Sequence, residues 1–413
     1  MGEIGVVDVL LIGGALLAFS LLSRRLAGSP LTPAIFFVVV GILVGSGALD
    51  LLRLPVGSSE LRLLAEVTLA LVLFTDASRL DSRKVLRDRR LPVRLLALAL
   101  PLTIVLGGFV AVLLFPGLGV FEAVALAVLL APTDAALGQA VVSDERLPVV
   151  VREGLSVESG LNDGICVPLL LGALTFAELE VEPEFAGEIA RDFVVEITVA
   201  GLVGVLVGVA VGALARLAAR HGWVDLGWWR VVPLVAAAVA YVGTDHLGGS
   251  GFIGAFVAGL AYGRVVGAED AQRSTELSEE AGSYLSAVTF LLFGAVMVPI
   301  AFRALDVATV VYAVLSLTVI RMLPVAFSLT GTGATWPTRG FVGWFGPRGL
   351  ASIVFALIVV EGFDVPGAPR IVAVATVTVL LSVVAHGLTA SSLSSRYAAW
   401  VRVHRAPLTE EPS

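Results

Sequence analysis

The chain has 413 residues, of which 57% are hydrophobic and 15% charged, against about 25% charged in soluble domains. With a mean hydropathy of +0.96 it reads as an all-α polytopic membrane protein, and no polar block is long enough to form a separate soluble domain. The formal net charge of −7 points to no nucleic-acid partner, because the basic residues cluster in short loops between apolar spans. A single cysteine, Cys166, rules out an intrachain disulfide framework and reads as a small core residue.

Apolar windows of roughly 18–25 residues give about thirteen spans. They run near 4–22, 31–49, 61–78, 93–115, 121–142, 150–176, 193–215, 230–246, 250–263, 281–302, 305–329, 341–360 and 370–393. The first is apolar except for Asp8, has no basic region before it and no cleavage site, and so reads as a span, not a removed signal peptide. Gly248, Gly249 and Gly251 punctuate the run that holds the eighth and ninth, which leaves a twelve-span count open.

Arginine placement sets the expected orientation. Arg24 and Arg25, then Arg79, Arg83, Lys84, Arg87, Arg89 and Arg90, then Arg216 and Arg220, and finally Arg396, Arg402 and Arg405 all fall on one side of an odd-numbered bundle. The positive-inside rule makes that side cytoplasmic. The acid-rich stretches Glu178 to Asp192 and Glu361 to Asp364 fall on the other side, so the N-terminus is expected outside and the C-terminus inside. Residues 394–413 read as a short cytoplasmic tail with no recognisable regulatory domain.

Two spans carry interruptions: Ala131, Pro132, Thr133 and Asp134 in the fifth, and Gly346, Pro347, Arg348 and Gly349 early in the twelfth. Paired Pro/Gly breaks at corresponding places in two halves are the sequence pointer to an inverted-repeat transporter with a midplane site. Proline opens the helix and frees carbonyls. Asp134, the Thr133 hydroxyl and loose carbonyls are therefore the oxygen ligands a hard monovalent cation takes; the alternative is an Asp that caps the second half of a broken helix, and the two roles are compatible.

The stretch Gly154 to Pro168 places Glu158, Ser159, Asn162 and Asp163 inside an apolar helix, where one carboxylate costs about 2.5–3.5 kcal/mol on insertion scales. Glu158 and Asn162 are four apart, as are Ser159 and Asp163, so two polar pairs lie on adjacent strips of one helix face. Burial disfavours the charge on Asp163, which lets it hold either a proton or a cation. Ser159 is expected as a further ligand and Asn162 as a hydrogen-bond partner. Arg321, deep in the eleventh span, needs an anion, and Glu158 is the nearest in kind; the pair is expected to brace the sixth span against the eleventh. Asp76 reads either as a group on the ion access route or as an interfacial acid. Glu66, Glu196 and Asp245 read as solvated or interfacial, His386 as a packing residue with a hydrogen bond, and Arg348 as a charge meeting a helix terminus or a cytoplasmic acid.

PTDAALGQAVV (Pro132 to Val142), VESGLNDG (Val157 to Gly164), RMLP (Arg321 to Pro324) and FGPRGLAS (Phe345 to Ser352), in this order, resemble the NhaP-type sodium/proton antiporters of the monovalent cation:proton antiporter superfamily. LVLFTDASRLD (Leu71 to Asp81) is similar to the family's third-span ending, except that Thr75 and then Asp76 stand where relatives often carry a Glu. The resemblance implies about thirteen transmembrane helices in two inverted six-helix repeats, with helices 5 and 12 broken and crossing at midplane. It implies a homodimer whose dimerisation part covers approximately 1–78 and 193–280, and a mobile core covering approximately 93–176 and 305–393. It also implies a cation and proton site of Thr133, Asp134, Ser159 and Asp163, a supporting network of Glu158, Asn162 and Arg321, and, from Asn162, an electroneutral exchanger.

The expectation is a secondary transporter, not an enzyme, with no cofactor. It exchanges Na⁺, or Li⁺ or K⁺, for H⁺ across the plasma membrane of a prokaryote. Two other classes stand beside it. A cation channel would need a carbonyl-ring filter, and no such repeat is visible; an intramembrane hydrolase would need an activated water, which the Thr-Asp, Asn-Asp and Arg set does not suggest.

Overall fold

In a computed structural model the chain is described over residues 5–26, 29, 31–52, 59–80, 90–181 and 186–404, and every regular element among them is helical. In chain order the helices are α1 (Val6–Leu26), α2 (Pro33–Val44), α3 (Ser59–Ser78), α4 (residues 90–114), α5 (Val120–Leu129), α6 (Ala135–Val142), α7 (Val149–Val181) and α8 (Ala186–Arg220). They continue as α9 (Leu226–His246), α10 (Gly251–Val266), α11 (Ala268–Ser274), α12 (Glu276–Arg303), α13 (Val307–Leu317), α14 (Val319–Ser328), α15 (Trp336–Trp344), α16 (Leu350–Gly362) and α17 (Ala368–His404). Helix fills each expected window. Among the described residues, eight helices are long and apolar enough to cross a membrane, and α2, α5, α10 and α16 are shorter apolar ones. Arg83, Lys84, Arg87, Arg89, Arg405 and the side chains of Arg90 and Glu361, used above for orientation, lie outside the described residues.

The helices depart from the windows in three instructive places. The eleventh window is not one helix: Thr318, at φ −113° and ψ −94°, separates α13 from α14 just before Arg321. The last helix does not stop at 393 but runs to His404, carried by the buried Ser394, Tyr397 and Ala398. In α4 and α12 a wide turn interrupts the regular helix, at Leu95–Ala99 and Phe293–Met297. Each lies just before a proline, Pro101 or Pro299. Proline lacks an amide hydrogen and pushes away the carbonyl four residues back, here that of Ala97 or Ala295, and a wider turn makes room for both.

The chain divides into two compact units. The first comprises Met1–Arg62, Asp88–Asn162 and Ala287–Ser413, and so holds both broken helix pairs. In it α2 lies on the wide turn of α12, where a Cβ on Gly45 would collide with the Ala295 backbone. The second unit comprises Leu63–Arg87 and Asp163–Ser286. Lipid supplies no hydrophobic drive between spans, so close backbone approach has to supply the packing. Gly204 and Gly208 of α8 face the carbonyls of Gly254 and Ala258 in α10, and Gly259 and Gly263 of α10 face those of Phe74 and Ser78 in α3. Helix α10 is thus held between two neighbours at backbone distance. Arg79 fastens the end of α3 to Thr275 (2.8 Å) and Glu279 (2.7 Å).

Candidate cation site

The break between α5 and α6 follows from Pro132, which can donate no backbone hydrogen bond. Asp134 has extended backbone (φ −88°, ψ 118°) and caps α6, its Oδ1 accepting from Leu137 N–H at 2.9 Å. Its Oδ2 accepts from Leu350 N–H at 2.6 Å, in the first turn of α16. One carboxylate therefore closes the start of two helices, each of which would otherwise leave amide donors open. The backbone joins in, with Asp134 N–H donating to Pro347 O at 2.8 Å. Gly349 is required for this approach, since a Cβ there would fall on the Asp134 carboxylate.

The carbonyl ends left by the same break are met by Arg348, which is fully buried. Its Nη1 donates to Ala131 O at 2.9 Å and Pro132 O at 3.1 Å, placing a cation where carbonyls gather. Ser352 Oγ donates to Leu129 O at 2.9 Å. The Arg348 contact is with a helix terminus, one of the two partners expected for it from the sequence, whereas the Ser352 contact was not assigned from the sequence. The signal for the former was a lone Arg between Pro347 and Gly349, just ahead of a helix restart.

Thr133 lies beside α7. Its Oγ1 accepts from Asn162 Nδ2 at 2.8 Å and is 2.9 Å from Ser159 Oγ, so two hydroxyls and an amide meet next to Asp134. Asn162 Oδ1 is buried and has no hydrogen-bond partner among the described residues. Asn162 thus serves Thr133 and does not bond the Glu158–Arg321 pair, whose carboxylate oxygens are both already turned to the guanidinium. In that pair Arg321 Nη1 and Nη2 donate to Glu158 Oε1 and Oε2 at 2.5 and 2.8 Å, with both side chains 1% exposed. The guanidinium lies on Gly346, where a Cβ would stand 2.5 Å from Arg321 Nε.

Asp163 follows Asn162 on the same unbroken helix, one turn past Ser159, and is buried. It belongs to the second compact unit, as does Asp76, which is half-buried at the end of α3 next to the buried Thr75. The first unit thus brings Thr133, Asp134, Ser159 and Asn162 together, with Glu158 and Arg321 behind them.

Comparison with known proteins adds what geometry alone does not. The family described as "sodium/hydrogen exchanger, transmembrane" matches residues 10–396. The chain belongs to the sodium/hydrogen exchanger family. Among its relatives, a Na⁺/H⁺ antiporter of Saccharomyces cerevisiae is 28% identical over 78% of the chain and 34% of its own length. An uncharacterized Na⁺/H⁺ exchanger of Escherichia coli, YjcE, is 27% identical over 47% of the chain and 35% of its own length. The chain spans about a third of the length of these curated relatives. Its fold matches that of the sodium proton antiporter MjNhaP1 of Methanocaldococcus jannaschii at TM-score 0.75 and 20% identity, covering 94% of this chain and 97% of that one. The chain is accordingly a multi-pass membrane protein with an NhaP-type fold.

Proposed function

We propose that the protein exchanges a monovalent cation, Na⁺ in the first place, for H⁺ by alternating access of a mobile core, residues 93–176 and 305–393. The observation that carries this reading is the meeting of two buried hydroxyls and a buried amide beside a carboxylate that closes two broken helices. Such a set offers oxygen ligands to a hard cation without a rigid multi-acid cage. In this reading Asp134 is the fixed acid, because it serves two helix ends at once. Asp163, on an unbroken helix, is the exchanging one. Thr133 and Ser159 add hydroxyl oxygens, and Asn162 orients the first of them. Glu158 and Arg321 neutralise one another and brace α7 against α14.

The reading also fixes the charge carried per cycle. A cation that enters as a proton leaves Asp163 keeps the charge of the moving core constant, so the membrane potential does no net work. A mismatch of one charge would be driven by about 2.3 kcal/mol per 100 mV. The test is proton flux in proteoliposomes under an imposed Na⁺ gradient. Wild type is expected to exchange without net current, and Asp163→Asn to lose exchange. An Asp163→Asn protein that exchanges at the wild-type rate would sink the proposal, and current without coupled proton flux would replace it with a channel. Repeating the assay with Li⁺ and K⁺ ranks the cations.

A further inference from the structure

The break between α15 and α16 leaves two backbone groups facing α17. Arg348 N–H precedes the start of α16 and lies outside its hydrogen-bond ladder. Trp344 C=O ends α15 and receives only the tight-turn bond from Gly346 N–H, at 2.8 Å, from its own segment. Both are met by side chains one turn apart on α17, Ser382 and His386, which are 0% and 1% exposed. Arg348 N–H donates to Ser382 Oγ at 2.7 Å, Ser382 Oγ is 3.1 Å from His386 Nδ1, and His386 Nε2 is 2.8 Å from Trp344 O.

Donor and acceptor capacities order the protons in this chain. A carbonyl only accepts, so Nε2 carries a hydrogen. Ser382 Oγ already accepts from Arg348 N–H, which directs its own proton to the ring. His386 Nδ1 also lies 2.9 Å from Ser382 O, but Nδ1 has a second neighbour able to donate, the Ser382 hydroxyl, whereas Nε2 faces only a carbonyl, so in a neutral ring the hydrogen belongs on Nε2. The charged side chains acting on the ring are those of Arg348 and Arg321. The rings of Trp344 and His386 are 5.1 Å apart, and Trp344 Nε1 donates to Thr389 Oγ1 at 3.0 Å, one turn further along α17.

We propose that Ser382 and His386 are positioning residues of the exchange site: a proton-ordered strap from α17 that fixes the break between α15 and α16, with His386 in the Nε2–H form. The strap holds the segment that brings Leu350 N–H and Pro347 O to Asp134 and Arg348 to the carbonyls of Ala131 and Pro132. Neither residue touches the cation. Each acts through Arg348 and Trp344.

The first test needs no transport and reads the ring directly. Histidine-¹⁵N-labelled full-length protein in lipid nanodiscs contains four histidines, and loss of one ring signal set in His386→Gln assigns the resonance. A long-range ¹H–¹⁵N correlation is expected to show His386 protonated at Nε2 and bare at Nδ1, with the Nδ1 signal moving in Ser382→Ala. A ring protonated at Nδ1, a doubly protonated ring, or an Nδ1 signal indifferent to Ser382→Ala overturns the strap.

The second test rests on the exchange reading. Ser382→Ala is expected to raise the cation KM of exchange about tenfold with little change in kcat, as loss of one buried hydrogen bond would. Ser382→Thr, which keeps the hydroxyl, is expected to recover KM to within about twofold of wild type. Equal KM in wild type and Ser382→Ala overturns the positioning role. A wild-type protein with the expected ring signature but no cation-driven proton flux overturns the exchange reading and leaves the strap standing.

Discussion

Replacing Glu158 with Leu removes the anion that Arg321 contacts among the described residues and leaves a guanidinium 1% exposed in an apolar bundle. Breaking a buried pair from one side costs about 3–5 kcal/mol, because the remaining charge keeps its desolvation penalty and loses its partner. Arg321→Met should cost a similar amount, with the stranded charge now negative. Removing both charges is different in kind: two apolar side chains of comparable volume need no solvation, and such replacements are often neutral or stabilising. The double variant is therefore expected within about 1 kcal/mol of wild type, giving a coupling energy of several kcal/mol in a double-mutant cycle. Thermal unfolding of the purified proteins, followed by tryptophan fluorescence, gives the cycle, with single-variant losses of Tm on the order of 5 °C. Single variants as stable as wild type, or a double variant as unstable as the two losses added, would refute the reasoning. The same double variant separates brace from ligand: if the pair only supports the site, its cation KM stays near the wild-type value.

Two further outcomes follow from particular contacts. Gly349→Ala places a methyl on the Asp134 carboxylate, so the Leu350 bond must open; exchange should fall at least tenfold, the loss of about one hydrogen bond, and wild-type cation KM and rate in this variant would count against the double cap. Asp306 caps α13 from just before the helical span Val307–Ser328, at the second residue of the window expected from the sequence; there hydrogen bonds from the Thr309 side chain and backbone, then Arg370, hold its carboxyl down from 3.8 to about 2. A depressed carboxyl stabilises the fold fully above its unfolded value and loses that contribution as pH falls towards its folded one. Hydrogen-exchange protection of the first turn of α13 should thus be constant down to about pH 4 and fall between about pH 4 and 2, whereas Asp306→Asn should show no such step.

The helical class and the positions of the spans were legible because lipid leaves the backbone few alternatives, and apolar runs of span length report them directly. Pro132 and the Gly346–Pro347–Gly349 cluster likewise marked both breaks, since each removes a donor or a Cβ. The kink at Thr318 had no such marker: its hydroxyl bonds back to Val314 O at 2.6 Å, and threonine does this in many straight helices. Sequence spacing placed Glu158, Ser159, Asn162 and Asp163 on one helix face, but spacing carries no information across hundreds of residues. The second bond of Asp134, the hold of Arg348 on Ala131 and Pro132, and the strap from Ser382 and His386 all cross between segments far apart in the chain. Glu122 is a related omission. Buried in the first turn of α5, it accepts from Gly119 N–H at 2.8 Å and Gly367 N–H at 2.6 Å. An acid at the third position of a helix is a recognised partner for open amides, and that signal was present.

Asp134 and Leu350 are 216 residues apart, and this separation sets an order of events during synthesis. Until the twelfth span has entered the bilayer, the Asp134 carboxylate that caps α6 lacks its bond from Leu350 N–H, and the carbonyls of Ala131 and Pro132 await Arg348. The half of the site that is made first is therefore held open by the half that is made last, and loop closure over that distance has to precede any ion-binding geometry. The site cannot be complete before α16 is in place, even though its first ligand, Asp134, emerges in the first third of the chain.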